Sequence, residues 1–153
     1  MITLAERVIA FINSEGHLTE SVSSDNSTNV RFRSRGLNFT ATTLYGDEGY
    51  LQLSCGMTLA PDVNFTAGLL RALWDCQERF KCVKFSLTAD ETVFVCSLES
   101  YFPELDGFQP TFWRAVSTID SALNAGLNEI RTNNSVKAAA DKFIEEFSQG
   151  DAG

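Results

Sequence analysis

A chain of 153 residues with 44% hydrophobic and 21% charged side chains has the make-up of one globular domain, with material for a single core. Its formal charge of −8, from 12 Lys+Arg against 20 Asp+Glu, argues against nucleic acid as the main partner, because a polyanion is held chiefly through cations. No apolar run of about 18 residues predicts a membrane span. Glu6 and Arg7 also interrupt the opening MITLAERVIAFINSEG, so it does not read as a secretory signal, and the expected location is the cytoplasm.

The first helix is expected over residues 2–14. Leu4, Val8, Phe11 and Ile12 recur at helical spacing, and Gly16 ends it. SVSSDNSTN (21–29) reads as a loop after a short edge strand at 17–22. Next comes VRFRSRG (30–36), with arginine at every second position. Arg35-Gly36 suits a two-residue hairpin turn, since glycine accepts positive φ. That turn sets Phe32 opposite Phe39 and Val30 opposite Ala41, all on one face. Arg31 and Arg33 then share the other face with Asn38, Thr40 and Thr42. They form either a solvated surface or, in the alternative, a contact for an anion. Arg35 belongs to the turn. GDEG (46–49) leads into YLQLSCGMTL. A strict four-residue loop would place Leu51, Leu53 and Cys55 on the arginine face, whereas a bulge at Gly46 or Gly49 moves them beside the phenylalanines. The bulge is expected, because the apolar sides of neighbouring strands then coincide.

A second helix is expected over 64–80. Phe65, Leu69, Leu73, Cys76 and Phe80 form its apolar stripe, and Leu70 and Trp74 widen the stripe onto one flank. Leu70 and Trp74 are the candidate contacts for a protein partner or a second copy. The hairpin VKFSL–ADE–TVFVCSL, closed by a three-residue loop, would pair Phe85 with Val95 and Leu87 with Val93. Phe94, Cys96 and Leu98 would then face the other way, so strand 92–98 is expected to be covered on both sides. Pro110 suits the first residue of a long helix whose apolar seam runs from Phe112 through Val116, Ile119, Leu123 and Leu127 to Ile130. Thr132-Asn133-Asn134-Ser135 is expected to break it, with Ser135 capping a last helix over about 135–148. Strands in separate antiparallel runs predict an α+β domain spanning 1–153. Its order is α-β-β-β-α-β-β-α plus a C-terminal helix, with helices packed on a twisted antiparallel sheet of about five strands.

Catalytic signatures are sparse. There is no P-loop, G-x-G-x-x-G, G-x-S-x-G or H-E-x-x-H. Cys55, Cys76, Cys82 and Cys96 form no C-x-x-C pair, and with one histidine, His17, a zinc site lacks ligands. Asp47-Glu48 and Asp90-Glu91 fall at hairpin tips and read as solvated turns, and Trp74 and Trp113 lie at helical core spacing. No catalytic residue, cofactor or metal is expected.

Several stretches together carry a family resemblance: the Arg–Phe strand turning at RGLNF, LQLSCGMTL before a proline, the helix leading into VKFSL, and VFVCSLESYFP before the long helix. Over about residues 2–131 the chain resembles the YbjN family of bacterial proteins, which share the fold of type III secretion chaperones. The resemblance implies a non-enzymatic protein of the sensory-transduction or stress-regulator kind, or a chaperone-like adaptor. It also implies a homodimer that binds a protein client, and it brings no catalytic residues. The alternative expectation is a small-ligand or anion sensor using Arg31 and Arg33.

Overall fold

In the structure, a computed structural model that describes residues 1–150, Thr3 starts the first helix, α1 (Leu4–Ser14). Its hydroxyl accepts from the Glu6 N–H (3.2 Å), and the Glu6 carboxylate accepts in return from the Thr3 N–H (2.7 Å). This reciprocal cap satisfies two otherwise orphaned donors and holds the Glu6 carboxyl below its ordinary pKa. Leu4, Ala5, Val8 and Ile12 are buried, and Gly16 leaves the helix at φ 89°.

Six strands follow: β1 (Thr19–Ser23), β2 (Ser27–Ser34), β3 (Leu37–Leu44), β4 (Asp47–Thr58), β5 (Val83–Leu87) and β6 (Val93–Tyr101). Helix α2 (Ala67–Glu78) lies between β4 and β5, and α3 (Gln109–Gly150) follows β6. The strands form one antiparallel sheet in the order β1-β2-β3-β4-β6-β5, so the fold is α+β. The sheet has one strand more than expected, because the short segment after α1 pairs fully along β2.

The β2–β3 turn uses positive φ at both Arg35 (54°) and Gly36 (75°), and Phe32 faces Phe39 with Arg31 opposite Thr40. The two phenylalanine rings stack 5.5 Å apart. Between β3 and β4 the register slips: Leu44 pairs with Asp47, but Thr43 pairs with Leu51. An odd shift flips the face, so Leu51, Leu53 and Cys55 join the phenylalanines. Gly49 sits in the slipped segment, where a Cβ would lie 2.5 Å from the Phe102 carbonyl oxygen. Its own carbonyl accepts from the Phe102 N–H at 2.9 Å.

Three expectations are corrected. First, the β5–β6 hairpin closes on Thr88 and Val93, whose N–H and C=O are bonded at 3.1 Å, so Phe85 faces Cys96 and Leu87 faces Phe94. The loop gains a residue because Asp90 draws Thr92 into the turn: its Oδ1 accepts from the Thr88 hydroxyl (2.7 Å), the Thr92 hydroxyl (2.7 Å) and the Thr92 N–H (3.2 Å), while Glu91 takes φ 58°. Second, β6 carries apolar residues on both sides, as expected, but the helices cover only the side of Phe94, Cys96 and Leu98. Val93 and Val95 on its other side pack over Gly56 of β4, where an added Cβ would lie 3.0 Å from Val93. Third, α3 is a single helix of 42 residues, about 63 Å long, with Ser135 inside it. No proline or glycine separates Gly126 from Gly150. Asn133 bonds within the helix, donating Nδ2–H to the Glu129 carbonyl at 2.8 Å, so it does not compete for a cap.

The helices cover the phenylalanine face. Val8 and Ile12 of α1, Leu69 and Leu73 of α2, and Phe112 through Ile130 of α3 close on Val30, Phe32, Phe39, Leu53, Phe94 and Cys96. Gly126 lets α3 ride directly on the Phe94 ring, which a Cβ there would approach to 2.8 Å. The opposite face exposes Arg31, Arg33, Asn38 and Thr58 and turns apolar where the half-buried Val93 and Val95 lie over Gly56.

Candidate functional site

Helix α2 begins where the Thr66 hydroxyl accepts from the Leu69 N–H (3.2 Å), and it is shorter than expected at both ends. Leu69, Leu73 and Cys76 turn inward, while Leu70 and Trp74 remain 51% and 60% exposed. The hairpin register brings Phe85 and Leu87 of the outer strand onto the same side, so these four residues border an open apolar groove of about 200 Å³. Gln77 forms part of its wall. Its Oε1 accepts from the Phe85 N–H at 2.7 Å. Because Thr88 already bonds to Val93, the alternate N–H at Phe85 points away from β6, towards the free edge of β5. Gln77 thus caps the middle of the strand edge, the position an added strand would need. Beside Leu70 and Trp74, Arg71 and Asp75 form an exposed ion pair at 3.2 Å, so the patch is locally neutral on a chain of net charge −8.

The structure keeps the two arginines of the polar face apart from this patch. Arg31 and Arg33 are exposed side by side, and among the described residues neither has a carboxylate within ion-pairing distance. Arg35 instead reaches Asp120 of α3 at 3.5 Å. His17 is a tether between the α1 exit and β2: its Nδ1 lies 2.9 Å from the Arg33 carbonyl, which only accepts, so that nitrogen carries the proton. Its ring lies 4.9 Å from Trp113, which packs on Phe11, Phe32 and Phe112 as core material.

Of the acidic pairs, Asp90 holds its turn together and Asp47 ties β4 to β6. Asp90 organises its loop, and the hydroxyl hydrogen bonds hold its carboxyl below the ordinary range. Asp47 accepts from the Tyr101 hydroxyl at 2.8 Å, which raises the Tyr101 pKa. Burial pushes the Cys55 thiol up to about 11, with a further push from the Asp120 charge, and burial lifts Cys96 to about 12. Neither is a nucleophile at neutral pH. Among the described residues no three His, Cys, Asp or Glu side chains cluster as metal ligands, and no helix is long and apolar enough to cross a membrane.

No family model and no curated protein matches the sequence. The fold is similar to the crystal structure of an uncharacterized protein from Methanothermobacter thermautotrophicus. The TM-score is 0.69 and the identity 14%, over 85% of this chain and 98% of that one. Likeness at such low identity concerns the fold alone.

Proposed function

We propose that this chain is a non-enzymatic protein-interaction module, a YbjN-like regulator or chaperone-like adaptor that works as a homodimer through the exposed flank of α2. The observation that carries the reading is Trp74, 60% exposed beside Leu70 on a groove walled by Phe85 and Leu87. A large aromatic in such a place is the residue type that dominates association energetics. A second copy suits the patch because a two-fold axis crossing antiparallel α2 helices at the level of residue 73 would let the Arg71–Asp75 pair re-form between protomers. Strand addition at β5 is disfavoured by the Gln77 cap, so the proposed contact is helix against helix. Sedimentation velocity tests it. Asp75→Arg should dissociate the dimer by opposing like charges, and the added Arg71→Asp should restore it. Identical sedimentation of all three proteins would refute the α2 contact.

A second reading is favoured by the free arginines. Arg31 and Arg33, about 7 Å apart along the strand, would grip an acidic metabolite or a phosphate. In a thermal-shift screen with nucleotides, phosphates and acidic metabolites, stabilisation lost in Arg31→Ala and Arg33→Ala would support it. A flat screen would leave the face as solvated surface.

A further inference from the structure

A second concavity, of about 570 Å³, opens at the C-terminal end of α2, between the entry to β5, the end of β6 and the first turns of α3. Arg79, Lys81 and Arg114 line it, and no carboxylate does. Three cations in one cleft stand out on a chain with 12 basic and 20 acidic residues. They come from separate places: Arg79 caps α2, Lys81 sits in the tight turn that Cys82 makes at φ 62°, and Arg114 projects from α3. Arg79 reaches Glu129 at 3.6 Å and remains 63% exposed. Lys81 and Arg114 have no acidic partner among the described residues. The carbonyls at the end of α2 oppose an anion with about half a charge, less than these two cations supply. Beneath the charges lie the half-buried apolar side chains of Phe80, Leu98 and Ala115.

We propose that this cleft binds a small anionic amphiphile, with a carboxylate or phosphate head between Lys81 and Arg114 and a medium-length alkyl body on Phe80, Leu98 and Ala115. The volume falls within the range of roughly 300–1,000 Å³ typical of small-molecule sites, which favours a single small ligand over a peptide. Charged heads at the rim over an apolar floor match such a ligand at both ends. Leu70, Trp74, Arg31 and Arg33 do not line the cleft, so the site stands independently of both readings above.

Isothermal titration calorimetry on the full chain tests it with decanoate, decyl phosphate, inorganic phosphate and decanol, each below its aggregation concentration. One or both of the charged amphiphiles should saturate a single site, and comparing them tells a carboxylate head from a phosphate. Phosphate alone and decanol should bind at least about tenfold more weakly, since each lacks half of the recognition. Arg114→Gln and Lys81→Gln should each weaken binding by about fivefold or more, while Lys84→Gln, at an exposed position outside the cleft, leaves it unchanged. These variants sit on different elements at exposed positions, and circular dichroism verifies their folding. Three results would overturn the site: no saturable heat from either amphiphile, decanol binding equally well, or loss in Arg31→Gln but not in Arg114→Gln.

Discussion

On β2 and β3, Val30, Phe32, Phe39 and Ala41 are at most 4% exposed, whereas Arg31, Arg33 and Asn38, one step along the same strands, stand in water. The first set lies under α1 and α3, and the second points to the other side of the sheet. Alternation on a strand turns one backbone into two chemically different surfaces, and here packing energy is concentrated on one of them. The consequence reaches function. The covered face is filled, down to a missing Cβ at Gly126, so the open concavities on this side lie at its margins: the α2 flank and the cleft at the α2 end.

Four changes test how unequal the faces are. Phe39→Ala, which removes a buried ring from the covered side, should cost about 3–5 kcal/mol in denaturant unfolding. Gly126→Val should cost about 1–3 kcal/mol, because the new methyls meet the Phe94 ring where neither helix nor sheet has slack. Alkaline pH separates buried thiols from the solvated face. The folded-state pKa values of Cys55 and Cys96 are raised, so their contribution is fully present below the unfolded thiol range and is lost as pH rises towards about 11 and 12. Unfolding curves at pH 8 and pH 10 should differ by on the order of 1 kcal/mol per thiol, and Cys55→Ala with Cys96→Ala should flatten that dependence. At the weak end, Arg31→Ala and Arg33→Ala should each stay within about 0.5 kcal/mol of the parent, as changes on a solvated face do. A loss several times larger would mean that the polar face carries structural load.

Periodicity and turn chemistry made much of this legible in the sequence. Arg35-Gly36 specified the β2–β3 register, and the coincidence of apolar sides correctly required an odd slip before Leu51. The β5–β6 register was hidden because it depends on side-chain bonds to Asp90, which hydrophobic spacing does not report. The polar run at 132–135 resembled a break, yet it contains no residue that forbids a helix, and Asn133 bonds to its own helix. Leu70 and Trp74 were visible as excess apolar surface on α2. Gln77 and the cations Arg79, Lys81 and Arg114 were not, since their meaning arises only when a helix end, a turn and a distant helix converge.

Size-exclusion chromatography with light scattering, on the parent chain and on Trp74→Ala, addresses most directly the proposal that the α2 flank is an interface. A parent mass near twice 16.9 kDa, falling to about 16.9 kDa in Trp74→Ala with stability unchanged or raised, is the predicted result. A parent that remains at 16.9 kDa up to the highest attainable concentration would contradict it.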